Sequence, residues 1–251
     1  MPRNKLPHDG EPAPPAEEGY SAPVPAPALE LTTERLFVQV APVSAAARVL
    51  DYCRRNRAHL APWEPERQPD YFTKAFWVRQ LAGARDEYET GHSVRTVLVR
   101  RDCAGFREGR EGPVIGVINL SQIVRGAFQA GVLGYSLDRS AEGQGLMSEG
   151  LSALVEHAFD TMGLHRIMAA YRPENERSAA VLERLGFEKE GYAKNYLFID
   201  GAWRDHVLTA LTRPEPSRTA IPGTPAPISV PLVAGRQGGR RAGKPSNSAL
   251  K

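Results

Sequence analysis

Cysteine is scarce in this chain of 251 residues, which contains only Cys53 and Cys103. The two lack a paired spacing, which excludes a cysteine-rich metal site and fits a reducing compartment. Histidine pairs and clustered carboxylates with the spacing of metal ligands are also missing. We therefore expect no metal cofactor.

Long apolar runs are missing as well. No stretch approaches the ~18 residues of a membrane-spanning helix, and the first residues lack the apolar segment of a secretory signal. We expect a cytoplasmic protein that does not bind a membrane. Excess charge of one sign is small, because the formal net charge is +3. This value does not indicate a nucleic-acid-binding protein.

The two ends of the chain contain few residues that can form a core. Residues 1–28 are dominated by Pro, Ala and Glu, and residues 214–251 by Pro, Gly, Ser and Arg. Such segments cannot bury enough apolar surface to offset the entropy lost on ordering. We therefore predict two disordered tails and one domain over residues 29–213. The second tail is basic, and it is either simply solvated or a loose electrostatic tether to RNA or the ribosome.

The body between the tails alternates strands and helices. The predicted strands cover residues 31–41, 94–100, 114–123, 128–137, 165–171, 192–199 and 203–211. Four helices are predicted. The first begins after Ser44, the second covers residues 73–90, and the third follows the glycine turn and ends near residue 162. The fourth covers residues 176–185, with Asn175 as its N-cap. Asp200-Gly201 predicts a hairpin turn. This order indicates an α/β fold with a mixed, largely antiparallel central sheet and flanking helices.

The most informative segment is the turn Gly143-Gln144-Gly145-Leu146-Met147, between a predicted strand and an amphipathic helix. Its glycines leave the main chain bare, and free N–H groups at a helix start favour an anion. The segment therefore predicts a site for the pyrophosphate of a nucleotide-like cofactor. From the residues alone, the alternative is a tight strand-to-helix connection without a ligand.

Two other phosphate motifs do not fit this turn. No Lys-Ser or Lys-Thr pair follows it, which excludes a P-loop. The third glycine of a dinucleotide fingerprint is missing, and the strands around the turn are predicted to be antiparallel, which argues against a Rossmann fold.

The element order with its Gly-x-Gly turn resembles the GNAT superfamily of acyl-coenzyme A-dependent N-acyltransferases. Further segments resemble its RimJ-type ribosomal-protein-alanine N-acetyltransferases. They are Leu31-Thr32-Thr33-Glu34-Arg35-Leu36, Pro62-Trp63-Glu64-Pro65, Asn175-Glu176-Arg177-Ser178, Leu185-Gly186-Phe187-Glu188-Lys189-Glu190-Gly191 and Ile199-Asp200-Gly201-Ala202-Trp203-Arg204-Asp205-His206. The resemblance covers about residues 29–213 and leaves out both tails.

The resemblance implies acetyl transfer from acetyl-CoA to the N-terminal amine of a small-subunit ribosomal protein that begins with alanine. It implies that the diphosphate lies on the turn amides, that pantetheine pairs with the strand before the turn, and that the helix after Asn175 contacts the thioester. The implied cofactor-binding residues are Ser136, Leu137, Gly143, Gln144, Gly145, Leu146, Met147, Asn175 and Ser178.

Two residues depart from the superfamily pattern. Glu142 stands where Gln or Arg is usual, and Met147 stands where Gly or Ala is usual. A carboxylate beside a pyrophosphate is unfavourable, so we expect Glu142 to point to solvent. The turn amides need no particular side chain, so neither departure abolishes cofactor binding.

The implied reaction needs a base for the amine, a donor for the oxyanion and an acid for the leaving thiolate. Glu64 is the candidate base, or it holds the substrate ammonium, because its loop borders the acceptor cleft in this fold. Trp63 beside it could shape a small substrate pocket. The alternative is a solvated loop carboxylate next to a packed tryptophan.

Ser178 is the candidate acid, since a hydroxyl can donate and accept at once, and Tyr196 could replace it. Ser178 and Asn175 could equally be a first-turn hydroxyl and a plain N-cap. His206 is expected to be structural, and Asn195, an amide, cannot act as a base. Two cations could assist the cofactor phosphates or be solvated: Arg184 and Lys194.

Two rivals to the N-terminal acetyltransferase remain open at this point. One is a GNAT enzyme for a small amine, such as an amino acid or an aminoglycoside. The other is a ribosome-associated binding module that retains the fold without efficient turnover, for which the basic tail and Glu142 are the support.

Overall fold

The computed structural model describes residues 28–101 and 111–213. Apart from Ala28, the two predicted tails lie outside these residues, and so does Cys103. Within the described residues the strands are β1 (Glu30–Thr32), β2 (Leu36–Gln39), β3 (Val94–Arg100), β4 (Val114–Val124), β5 (Ala130–Leu137), β6 (Arg166–Tyr171), β7 (Glu188–Ile199) and β8 (Ala202–Thr212). The helices are α1 (Ala46–Arg55), α2 (Arg57–Leu60), α3 (Lys74–Glu89), α4 (Leu146–Asp160) and α5 (Glu176–Arg184).

The eight strands of the described residues form one sheet in the order β1-β2-β3-β4-β5-β6-β8-β7. Neighbouring strands are antiparallel, with β5 and β6 as the parallel pair. The mixed, largely antiparallel α/β class is therefore confirmed. The prediction that the strands around the glycine turn are antiparallel is right for the pair β4 and β5 and wrong for the pair β5 and β6. A parallel pair needs a crossover connection, and α4 provides it.

Core clusters lie on both faces of the sheet, and side chains of one strand contribute to both because they alternate between the faces. The edge strand β7 is exposed along nearly its whole length. In β2, Leu36 and Val38 pack in one cluster with Leu151 of α4. Phe37, which lies between them, packs in the other cluster with Val49 of α1. This three-layer arrangement leaves the carboxyl end of β5, where the glycine turn begins, between the helices of both faces.

Two local predictions at the start of the domain are wrong. Residues 31–41 do not form one strand, because a turn separates β1 from β2, and the Thr33 hydroxyl supports it by accepting a hydrogen bond from the Leu36 N–H at 3.0 Å. Ser44 does not cap α1. It lies inside a 3₁₀ turn, Val43–Ala45, through which the chain enters the helix. Hydrophobic periodicity detects neither turn.

The other predicted helix starts and the hairpin are confirmed. Thr73 Oγ1 accepts from the Phe76 N–H at the start of α3. Asn175 Oδ1 accepts a hydrogen bond from the Ser178 N–H in the first turn of α5 at 3.1 Å. Asp200 and Gly201 have φ values of 50° and 70° between β7 and β8. These angles are those of the type I′ hairpin turn that the dipeptide predicts.

Candidate active site

The glycine turn presents bare main chain at the start of α4. Gly143 and Gly145 have φ values of 74° and 76°, in the left-handed region that favours glycine. Gly145 is the N-cap of α4, and no side chain caps the helix there. A Cβ atom on Gly143 would meet nothing within 4 Å. The space above the turn is therefore open, and the amides at the start of this 15-residue helix are suited to an anion.

The side chains of the last two turn residues point into the core. Leu146 and Met147 are 1% and 6% exposed and belong to the cluster under α4. They can therefore contribute only main-chain groups to a ligand, which explains why Met147 is compatible with the turn.

The outer side of the turn is fixed by Arg35, in the connection between β1 and β2. Its Nη1 donates to the Gln144 carbonyl oxygen at 2.9 Å, and its Nε donates to Glu149 in the first turn of α4 at 2.7 Å. The Glu149 carboxylate also accepts from the Thr33 hydroxyl and from the Arg35 N–H. Burial would raise the pKa of Glu149, but these hydrogen bonds outweigh it and lower the pKa. The turn is thus held from outside before any ligand binds.

The inner side of the turn is fixed by Asp138, which is 5% exposed. Its carboxylate accepts from Arg55 Nε at 2.6 Å, from Asn56 Nδ2 at 3.0 Å and from the Ser140 N–H and hydroxyl. Burial would raise the pKa of Asp138, but the hydrogen bonds from Asn56, Ser140 and Arg55 hold the pKa well below its usual range. Asp138 thereby joins α1 to the end of β5.

Strands β5 and β6 separate halfway along their length. Their pairing covers Ala130 to Leu133 of β5, although β5 continues to Leu137. The last residue of β6, Tyr171, pairs with β8 instead. A Cβ atom on Gly134 would meet nothing within 4 Å. The two strands thus enclose an open gap that leads to the glycine turn, and the residues predicted to line it, Ser136 and Leu137, lie in its β5 edge.

Ser178 of α5 spans this gap by contact with β5. Its Oγ is 2.8 Å from the Tyr135 hydroxyl, which also approaches the Ser178 carbonyl oxygen at 3.3 Å. Burial raises the pKa of Tyr135 to about 12. Either hydroxyl can be the donor in the contact with Ser178 Oγ. The structure therefore places the predicted acid in the gap, with its hydroxyl already oriented by a second hydroxyl. Asn175 uses its side-chain oxygen as the cap of α5.

Ser136 has a similar hydroxyl partner on the opposite face of the sheet. Its Oγ is 2.9 Å from the Tyr52 hydroxyl of α1. Burial raises the pKa of Tyr52, and the Glu64 carboxylate raises it further.

The Pro62-Trp63-Glu64-Pro65 loop is held at the open end of the gap. Arg172, directly after β6, donates through Nη1 to the Pro62 carbonyl oxygen at 2.5 Å. Its guanidinium carbon lies 5.3 Å from the centre of the Trp63 ring. Glu64 accepts from Arg67 Nη2 at 3.0 Å, and its side chain is 23% exposed. Glu64 is thus a largely covered carboxylate paired with Arg67 rather than a freely solvated one.

Tyr196 lies farther from the gap than Ser178. It is on β7, the edge strand of the sheet, and two strands separate β7 from β5. Its ring packs against His206, with 5.4 Å between the ring centres. His206 is 3% exposed and its Nδ1 is 3.0 Å from the Arg204 carbonyl oxygen, in agreement with the structural role expected for it. This placement favours Ser178 over Tyr196 as the acid.

The expectation that Glu142 points to solvent is wrong. Its carboxylate forms an ion pair with Arg177 of α5 at 2.6 Å and lies 3.2 Å from His59 Nε2 of α2. An arginine and a histidine side chain therefore lie beside the residue that departs from the superfamily pattern. The reason is topological, because α2 and α5 approach the turn from distant parts of the sequence.

Four residues that position the site were not predicted from the sequence: Tyr135, Asp138, Glu149 and Arg172. Each acts through a partner that is distant in the sequence. Arg172 and Pro62, for example, are 110 positions apart. A tyrosine next to Gly134 in the strand before the turn was a signal for the first of them. The other predicted phosphate contact, Arg184, donates to the Ser148 hydroxyl in α4, and Lys194 lies exposed on β7.

In the described residues, no group of three or more His, Cys, Asp or Glu side chains could hold a metal ion. None of the helices in residues 28–101 and 111–213 has the length and apolar character needed to span a bilayer.

A gap between diverging strands, with a glycine turn and a helix start at one end, is the site arrangement of an acyltransferase. The model of the acetyltransferase (GNAT) domain family matches residues 36–188, and the chain belongs to this family. The ribosomal protein uS5-alanine N-acetyltransferase of Escherichia coli is 45% identical over 197 residues, which cover 78% of this chain and 96% of the relative.

Two solved structures support the same assignment. The ribosomal-protein-S5-alanine acetyltransferase of Vibrio fischeri is 39% identical, with a TM-score of 0.69 and coverage of 75% of this chain and 99% of that one. RimJ of Mycobacterium smegmatis, solved in complex with CoA-disulfide, is 32% identical, with a TM-score of 0.63 and coverage of 70% and 81%. The RimJ-type resemblance is confirmed.

Proposed function

We propose that this protein transfers the acetyl group of acetyl-CoA to the N-terminal amine of a ribosomal protein of the small subunit that begins with alanine. The observation that carries the proposal is the 45% identity over nearly the whole length of the uS5-alanine N-acetyltransferase. Such an acceptor is made in the cytoplasm, which agrees with the predicted location.

The cofactor end of the gap fits coenzyme A. Acetyl-CoA supplies the activated thioester, and the protein supplies main-chain groups for its phosphates at Gly143 to Met147. The free β5 edge near Ser136 and Leu137 offers hydrogen-bonding groups to an extended chain such as pantetheine. Asn175 contributes by holding the first turn of α5, which positions the Ser178 hydroxyl at the thioester end.

The acceptor end fits an N-terminal amine better than a lysine side chain. An α-amine has a pKa of about 8 and a lysine about 10.4, so roughly 10% of the former and about 0.04% of the latter are unprotonated at pH 7. A modest base is therefore sufficient. Glu64, at the open end of the gap, takes the proton of the attacking amine directly or through water, and Trp63 borders the pocket for the first side chain.

Ser178 donates a proton to the departing thiolate. The amine adds to the thioester carbonyl carbon and its proton goes to Glu64. As the oxyanion collapses, the carbon–sulfur bond breaks, the sulfur takes the Ser178 hydroxyl proton, and Ser178 regains a proton from solvent while Glu64 releases one to it. The Tyr135 hydroxyl lies 2.8 Å from Ser178 Oγ and either hydroxyl can be the donor; when Tyr135 donates, the serine proton is free for the sulfur. Tyr196 is the alternative donor.

The experiment compares three acceptors with the full-length protein: a peptide with the N-terminal sequence of uS5, the same peptide with a blocked N-terminus, and a panel of free amino acids and aminoglycosides. We expect CoA release and a mass gain of one acetyl group with the first peptide alone. Turnover of the small amines without turnover of the peptide would establish the small-amine rival. Ribosome binding without CoA release from any amine would establish the binding module.

The basic tail is a separate part of the proposal. We propose that residues 214–251 give a weak electrostatic contact with the ribosome or RNA, supported by their excess of arginine and lysine. Removal of these residues should leave turnover of a short peptide nearly unchanged and slow the acetylation of uS5 in assembled subunits. Equal rates on both acceptors would refute the tether, whereas loss of peptide turnover would place the tail in the folded site.

A further inference from the structure

Glu142 and Arg177 form an ion pair at the edge of the glycine turn. Glu142 Oε2 is 2.6 Å from Arg177 Nη1, and its Oε1 is 3.2 Å from His59 Nε2. The Glu142 side chain is 26% exposed and the Arg177 side chain is 76% exposed. The carboxylate is thus partly covered, while most of the guanidinium faces solvent in front of the turn.

The position of this pair matters because Glu142 immediately precedes Gly143. A carboxylate at this point repels a diphosphate on the turn amides, and the fold does not remove that charge by turning the side chain away. Arginine carries five N–H donors in a planar fork that suits phosphate oxygens. The contact with Glu142 uses one terminal nitrogen and restricts the guanidinium to the neighbourhood of the turn. Arg177 also lies in the first turn of α5, whose positive end adds to the local potential.

We propose that Arg177 is a further phosphate-binding residue of this site, held by Glu142 so that its guanidinium donates to the diphosphate of CoA. Glu142 then acts as an anchor for the cation, and Arg177 replaces the Gln or Arg usual at the position of Glu142. The inference rests on the proposed use of acetyl-CoA.

The neighbouring cations are less suited to this role. Arg35 is engaged with Glu149 and the Gln144 carbonyl oxygen, and Arg100 donates to the Gln144 side chain. Arg184 lies at the far end of α5 and donates to Ser148. Of these side chains, Arg177 combines high exposure with an anchor directly beside Gly143.

The test measures the Kd of CoA by calorimetry for the wild-type protein, Arg177→Ala, Glu142→Gln and the double variant. We expect Arg177→Ala to raise the Kd about tenfold or more. Glutamine can still accept from Arg177 without the repulsive charge, so Glu142→Gln should leave the Kd unchanged or lower it. Loss of Arg177 should still raise the Kd at least about threefold in the Glu142→Gln background, because the contact with phosphate is direct.

Three results would overturn the inference. The first is an unchanged Kd in Arg177→Ala. The second is an effect of Arg177→Ala that disappears in the Glu142→Gln background, since Arg177 would then only neutralise the carboxylate. The third is an effect seen with CoA but not with 3′-dephospho-CoA, since the contact would then be with the 3′-phosphate.

Arg85→Ala is the matched control, because it removes an arginine of a surface ion pair on α3. It should leave the Kd within about twofold of the wild-type value. Unfolding temperatures without ligand show whether each variant is folded. A wild-type protein that does not bind CoA at all would instead refute the proposed function.

Discussion

Two parts of the site around the gap between β5 and β6 are built differently: the glycine turn proposed for the cofactor, here the cofactor end, and the loop and hairpin proposed for the acceptor, here the acceptor end. The cofactor end consists of main chain at the glycine turn, held by the buried Asp138 carboxylate and by the Arg35–Glu149 pair. The acceptor end consists of side chains on an exposed loop and on the last hairpin, where Trp63 is 36% exposed and Tyr196 is 44% exposed. We propose that the rigid end serves acetyl-CoA and that the exposed end serves the acceptor.

This contrast predicts large effects on chemistry where a side chain carries a proton, as proposed for Glu64 and Ser178, and smaller effects at the glycine turn, which acts through its main chain. The largest effect is expected for Glu64→Gln, which keeps the size of the side chain but cannot accept a proton. We expect kcat/KM for an alanine-starting peptide to fall ~10²-fold or more, with an unchanged Kd for CoA. Glu66→Gln, two residues later in the same loop, is the control. A loss below about threefold in Glu64→Gln would remove this residue from the mechanism.

The next largest effect is expected for Ser178→Ala, which removes the hydroxyl that protonates the thiolate. We expect kcat to fall roughly 50-fold with little change in KM for the peptide. Tyr135→Phe should lower kcat less, and it should have no further effect in the Ser178→Ala background, because it acts through Ser178. Ser152→Ala on the exposed side of α4 is the control. Additive losses in the double variant would show that the two hydroxyls act independently.

A smaller effect is expected for Gly145→Ala at the cofactor end. Alanine at a φ of 76° costs about 1–2 kcal/mol, and its Cβ would lie 3.6 Å from Arg35 Nη2 without a clash. The strain corresponds to a roughly tenfold rise in the Kd of CoA if it distorts the turn. Gly83→Ala in α3, where the added Cβ meets nothing within 4 Å, should leave the Kd unchanged. Equal values for both variants would show that the turn conformation does not govern affinity.

The smallest effect on turnover is expected for Asp138→Asn, which should change kcat less than threefold while lowering the free energy of unfolding by ~2 kcal/mol at pH 7. The folded-state pKa of Asp138 is lowered, so the stabilisation is complete above the unfolded pKa of about 3.9 and is lost as pH falls through the folded pKa. Urea unfolding at pH 7 and at acidic pH should therefore show a difference between variant and wild type that shrinks with acid. Asp51→Asn, which removes a more exposed partner of Arg55, is the control, and a difference that grows with acid would contradict the assignment.

The cofactor end and most of the fold could be predicted from the sequence because their signals are local. The apolar segments of β3 and β4, the helix start near Thr73, the Asn175 cap and the Asp200-Gly201 turn are each decided within a few residues. The glycine turn is visible for the same reason, since its function depends on missing side chains.

The acceptor end could be predicted only in part, because its geometry depends on contacts between distant residues. No local pattern indicates that Arg172 binds the Pro62 carbonyl oxygen, or that Tyr135 reaches Ser178. The error at Glu142 has the same origin. Its sequence neighbours are glycine and alanine, so its partners Arg177 and His59 become visible only when α5 and α2 meet in space.

The contact between Arg172 and the Pro62 loop also bears on the order in which parts of the domain fold and open. It joins residues 110 positions apart, and the entropy lost in closing a chain segment grows with its length. We expect this contact to form after the sheet has assembled and to open before the rest of the domain unfolds. Limited proteolysis in mild denaturant should then cut near Glu64 first, and acceptor specificity should decay while coenzyme A is still bound.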